Sequence, residues 1–137
     1  MRLLRQGYDM ADGKKTAVWY HGSNLRLTVL RAGSTVTKDR TLAEAFSHKP
    51  SVLCRDDDGT ILHNGTEHGF LYLIDEPVSE GVDCCQHPRS SMEPGLEFLT
   101  QRPLPLRFVD VCPPPDETEA RRAAQAIREL LRTHHKE

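Results

Sequence analysis

The sequence predicts an α+β domain, and three observations carry that reading. Short runs rich in β-branched and aromatic residues recur between Thr16 and Val111, punctuated by glycine, proline or acidic turns. One stretch in the first half has the cap and spacing of a short helix, around residues 40–48. After Pro113-Pro114-Pro115 the pattern changes to a longer amphipathic helix, around residues 116–132. The length, 137 residues, suits one domain with its own core.

Taken in order, residues 1–14 are mixed and polar, end near the Asp12-Gly13 turn signal, and read as a lead-in. Thr16 to His21 reads as a strand that stops at Gly22 and Ser23. Residues 25–30 alternate loosely and fit a short strand or a turn segment, and Ala32-Gly33 breaks the chain before the β-prone Ser34-Thr35-Val36-Thr37. Thr37 or Asp39 can then cap a helix whose Leu42, Ala45 and Phe46 share one face, and Pro50 ends it. Asp56-Asp57-Asp58-Gly59 is an acidic turn lacking the later ligands of a calcium loop, and reads as solvated.

Gly69 to Ile74 is the most apolar run and the expected central strand. Residues 75–95 are rich in proline, glycine and serine and read as a long surface loop. Residues 96–100 and 106–111 are two further strands, split by Pro103 and Pro105. The last helix has acid at its start and arginine toward its end, as the helix dipole favours. Its stripe of Ala120, Ala123, Ala124, Ile127, Leu130 and Leu131 packs on the chain's own sheet or docks on a partner, such as an inhibitor or a second copy.

Bulk composition narrows the function. Net charge is −2, so no global basic field draws the chain to nucleic acid. No apolar run reaches the ~20 residues that span a bilayer, and the basic N-terminus is not followed by the apolar stretch of a secretory signal. Cys84 and Cys85 are adjacent, a poor spacing for disulfides or a structural zinc site, so Cys54, Cys84, Cys85 and Cys112 read as free thiols in a reducing cytoplasm and no metal is expected. There is no G-x-G-x-x-G, no phosphate-loop lysine motif and no G-x-S-x-G.

What stands out positively is a sequence of three features. A strand runs into His21-Gly22-Ser23, where a glycine permits close approach and an imidazole and a hydroxyl supply hydrogen bonds. Ser34-Thr35-Val36-Thr37 leads into the helix carrying Ala45-Phe46. Glu97 is a carboxylate flanked by Leu96, Phe98 and Leu99. Together these resemble the ADP-ribosyltransferase superfamily, in its His-Tyr-Glu branch of diphtheria-toxin-like and poly(ADP-ribose)-polymerase-like enzymes, with the rifamycin-modifying transferases nearby.

Tyr20-His21-Gly22-Ser23 is similar to the family's first-strand motif, and residues 34–46 to its strand-then-helix element. There the family places two aromatics eleven positions apart to sandwich nicotinamide. With Phe46 as the helix member, the strand position falls on Thr35, so the middle motif is degenerate. Ala43 stands where some members carry a serine. Residues 69–74 resemble the central strand, 96–100 the strand of the catalytic glutamate, and the strand through Val111 the closing one.

The resemblance implies a split β-sandwich of two small antiparallel sheets with flanking helices over residues 15–112, and a Pro-rich break and helix over 113–137 packed on the same domain. It implies transfer of ADP-ribose from NAD, used as a substrate, to an acceptor, with release of nicotinamide, as a cytoplasmic toxin or effector. His21 and Glu97 are its catalytic candidates. His21, Gly22, Ser23, Thr35 and Phe46 are its NAD-binding candidates. His21 would bond the adenosine-side ribose, Gly22 the nicotinamide amide, and Ser23 would support the ribose contact. Phe46 would stack on nicotinamide, and Glu97 would stabilise the cation that forms on the reacting ribose. The acceptor is open between protein, nucleic acid, a small molecule and water. Two other readings stand beside this one: an inactive binding module of the same fold, and a small NAD-independent ribonuclease-type toxin with His21, His63 or His68 as acid and base.

Overall fold

The computed structural model describes residues 17–90 and 92–135. In chain order its elements are strands β1 (Tyr20–Ser23), β2 (Val29–Leu30) and β3 (Thr35–Val36), helix α1 (Arg40–Phe46), strands β4 (Leu53–Arg55), β5 (Ile61–His63), β6 (Gly69–Ile74), β7 (Cys84–Gln86), β8 (Phe98–Thr100) and β9 (Leu104–Cys112), and helix α2 (Glu117–His135). Among the described residues, one sheet has the order β1-β6-β9-β2, a second β3-β8-β7, and β4-β5 is a separate hairpin. Neighbouring strands in all of them run antiparallel. The class is α+β, as the sequence predicts. The lead-in over 1–14 and the expected start of the first strand at Thr16 lie outside the described residues.

The two larger sheets are stitched at one point. Tyr20 donates its N–H to the Thr37 carbonyl at 2.7 Å and accepts from the Thr37 N–H at 3.0 Å. Behind this seam sits the main core, with Trp19, Leu30, Val36, Ile74, Phe98 and Leu104 each at most 9% exposed. The Trp19 and Phe98 rings meet edge to face with centroids 4.9 Å apart, a favoured aromatic geometry.

α1 lies on the far face of the first sheet, over Leu71 and Gly22. Asp39 caps it, its Oδ1 accepting from the Leu42 N–H at 3.2 Å, while the Thr37 hydroxyl oxygen accepts from the Asp39 N–H. The helix ends at Phe46, two residues before the expected 48, because Lys49 takes a left-handed φ of 53° ahead of Pro50. α2 opens on a reciprocal capping box. Asp116 accepts from the Glu119 N–H at 2.8 Å, and the Glu119 carboxylate accepts from the Asp116 N–H at 3.0 Å. Among the described residues no helix is long and apolar enough to cross a membrane.

Several elements depart from the sequence expectation. β1 runs on through Gly22 and Ser23, which pair with Leu71 and Phe70, so His21 sits inside the strand. In the 25–30 stretch only Val29 and Leu30 form a strand, because Tyr72 takes the preceding backbone. Its hydroxyl donates to the Leu25 carbonyl at 2.8 Å and accepts from the Leu27 N–H at 2.9 Å. β9 continues through Pro105, whose carbonyl accepts from Asp75; a proline fits where only its acceptor is used. The 75–95 loop contains β7, with Cys84 fully buried opposite Thr100. The acidic turn closes the β4-β5 hairpin: Asp56 Oδ1 accepts from the N–H groups of Asp58 and Thr60, both at 2.9 Å. α2 packs on β5 of this hairpin through Ile127, with Leu131 of the same stripe 57% exposed.

Candidate functional site

His21 faces across the sheet to Tyr72. Its Nδ1 lies 2.7 Å from the Thr35 carbonyl oxygen. A carbonyl only accepts, so Nδ1 carries the proton and donates. Burial holds this imidazole below its ordinary range, outweighing the opposite pull of that hydrogen bond. The ring is therefore neutral at pH 7, with Nε2 left as a lone-pair acceptor suited to a hydroxyl.

β1, β3 and the last residue of α1 bring His21, Gly22, Ser23, Thr35 and Phe46 to one cleft of about 600 Å³. All five NAD-binding candidates thus converge, although they span 26 positions of chain from His21 to Phe46 inclusive. The opposite wall is aliphatic, from Leu25, Leu27 and Val29, and Leu25 is 59% exposed. Phe46 is half-buried, the only aromatic ring other than His21 among the described lining residues. Thr35 offers no ring; its contribution is the carbonyl that orients His21.

Two candidates work differently from the sequence reading. A side chain on Gly22 would place its Cβ 1.7 Å from the Ala43 carbonyl oxygen, so the glycine is required first by the helix behind it. Ser23 Oγ accepts from the Leu25 N–H at 3.0 Å and shapes the turn into the aliphatic wall. Its hydroxyl proton is left for another partner.

Glu97 is not among the residues lining the cleft. It precedes β8, whose Leu99 pairs with Thr35, and strand alternation puts Glu97 on the same face as those two. Its Oε1 accepts from the Ser90 hydroxyl at 2.5 Å, and its carbonyl accepts from the His87 N–H. The carboxylate is half-buried and tied to Ser90.

The other histidines weighed as acid or base, His63 and His68, do not line the cleft either. His63 stacks on His48 at 5.3 Å and accepts from the Gly65 N–H at 3.0 Å. His48 is 6% exposed and donates from Nδ1 to the Glu67 carbonyl. This pair fastens the hairpin to the end of α1. Cys84 belongs to the core, and burial, helped by Glu80, pushes its thiol up to about 11, away from the thiolate a metal or nucleophile needs.

Sequence reasoning missed three residues around the cleft: Tyr72, which bonds the backbone of the aliphatic wall, Arg31, which lines the cleft, and Thr100, whose hydroxyl donates to the Arg31 carbonyl. A tyrosine inside the most apolar run was the available signal for the first, since a buried hydroxyl calls for a partner. Nothing local marks the other two. Compared with family models, curated proteins and solved structures, the chain gives no significant match to any of them.

Proposed function

We propose that the cleft binds NAD and that the protein is an NAD-dependent ADP-ribosyltransferase. The observation that carries this reading is the convergence of His21, Gly22, Ser23, Thr35 and Phe46 on one cleft, with His21 neutral and Nε2 free to accept a sugar hydroxyl. In this scheme Phe46 and the aliphatic wall hold flat rings, His21 fixes the adenosine-side ribose, and the dinucleotide is gripped on both sides of its diphosphate, which positions the bond that breaks. That bond joins nicotinamide to ribose. Its electron pair leaves with nicotinamide, positive charge grows on the sugar, and an acceptor oxygen or nitrogen then bonds the sugar carbon and gives up its proton. Glu97 is the group proposed to stabilise that charge. It acts from the face it shares with Thr35, once the bond to Ser90 is exchanged for one to the ribose.

Incubation with NAD labelled in the nicotinamide ring tests the reading, alone and with cell lysate. Nicotinamide release above the uncatalysed rate is expected. Glu97→Gln keeps the size of the side chain and removes its charge, so it should still bind NAD and lose about 10²–10³ in turnover. A Glu97→Gln protein that turns over NAD at the parent rate removes Glu97 from the chemistry. His21→Ala should weaken NAD binding, and should also lower the melting temperature because it leaves the Thr35 carbonyl without its imidazole donor.

One second reading is favoured by particular observations. Thr35 supplies no stacking ring, and Glu97 is held by Ser90 outside the cleft lining. A protein that binds NAD and raises its melting temperature without releasing nicotinamide would be a binding module of this fold.

A further inference from the structure

The turn between β2 and β3, residues 31–34, carries one charge and is unusually well fixed. Arg31 is exposed and is the only formally charged residue among the described residues lining the cleft, which has no carboxylate. Among the described residues its guanidinium has no acidic partner, as is also true of Arg26, Arg89, Arg122 and Arg128, but of these five arginines only Arg31 lines the cleft. The turn hangs on one buried residue, Thr100 of β8, which is 2% exposed. The Thr100 hydroxyl donates to the Arg31 carbonyl at 2.9 Å and accepts from the Ser34 N–H at 3.0 Å. The Thr100 backbone accepts from the Gly33 N–H at 2.8 Å and donates to the Ser34 carbonyl at 2.8 Å. Gly33 has φ +84°, a conformation that favours glycine.

An arginine with no carboxylate nearby, at the lip of an apolar-walled cleft and on a backbone held by four hydrogen bonds, is preorganised for an anion. We infer that Arg31 is the phosphate-recognising residue of the cleft, that Thr100 is its positioning residue, and that the cleft selects a nucleotide bearing a diphosphate over the same nucleoside without phosphate. The placement rests on the dinucleotide reading: with a ribose at His21 and a ring at Phe46, the bridging phosphates lie toward the turn. The required charge is negative because the cleft lining is net positive and His21 is neutral.

Calorimetric titration of the full chain with NAD, ADP-ribose and adenosine tests this. The parent should bind the two diphosphates more tightly than adenosine, and more weakly as salt is raised. Arg31→Gln, at an exposed site, should cost about 10–100-fold in affinity for NAD and ADP-ribose and less than about threefold for adenosine. Thr100→Val should reproduce part of that selective loss and Thr100→Ser should restore it, a pattern that general destabilisation does not give. Equal weakening of all three ligands by Arg31→Gln, or none, overturns the inference even where NAD is consumed. Binding of ADP-ribose that depends on Arg31, in a protein that never releases nicotinamide, upholds the inference and overturns the transferase reading. A parent that binds none of the three overturns both.

Discussion

Gly22→Ala probes how closely α1 sits on β1. The new methyl meets the Ala43 backbone carbonyl oxygen at 1.7 Å, and no rotamer relieves it. Forced overpacking of this kind costs at least ~2 kcal/mol, so the urea midpoint should fall well below the parent's; an unchanged midpoint would mean that α1 is displaced at little cost. The histidines set a pH dependence. Burial lowers both His21 and His63 from 6.5, and the neighbouring His48 adds to the lowering at His63. Below about 6.5 the unfolded chain binds more protons at these rings than the folded one. Their stabilising contribution is therefore complete above 6.5 and is lost as pH falls from there toward the lowered folded values. Urea unfolding at pH 7.5 and 5.5 should show the drop. His63→Gln keeps an acceptor for Gly65 and removes one titrating ring, so it should shrink the difference between the two pH values; an undiminished difference would clear His63.

At the scale of elements, the helices were the most legible parts. Asp39, the Leu42–Ala45–Phe46 spacing and the acid-rich start of α2 are local signals, and both helices form where those signals lie. Asp116→Ala removes the side-chain acceptor for the Glu119 N–H, keeps the backbone N–H that Glu119 accepts from, and should cost about 1 kcal/mol. Ile127→Ala, the buried contact of α2, should cost about 2 kcal/mol, at the low end for core truncation because the seam with the hairpin is shallow. Hydrogen exchange in Ile127→Ala should quicken in β4 and β5 before β1 or β6; uniform quickening would contradict docking on the hairpin. β4, β5 and β7 were not legible as strands. Each is three residues long, too short for a period to show, and each is stabilised by what packs on it. The 25–27 backbone failed as a strand for the opposite reason, since its hydrogen bonds go to a tyrosine 45 or more positions away.

Taken as a whole molecule, the two larger sheets share one core around Trp19, the chain's single tryptophan. Its fluorescence reports the packing between sheets, while far-ultraviolet circular dichroism reports backbone throughout. The two should give coincident urea transitions, because neither sheet retains its apolar face once the Trp19–Phe98 contact opens. Separated transitions would show that the sheets unfold independently. The set His21, Gly22, Ser23, Thr35 and Phe46 rests on a family resemblance; the sequence by itself determined the α+β class, the helix starts and the central strand at residues 69–74. Those depend on caps, turn residues and apolar spacing within a few positions of chain. Only the tertiary structure decided that these five share a cleft, that Gly22 serves the helix behind it, that Glu97 bonds Ser90, and that Thr100 holds the turn bearing Arg31 from 69 positions away. Such pairings follow from strand register and from where buried donors find acceptors. Register is set by the packing of distant segments against one another, which no local pattern of residues specifies.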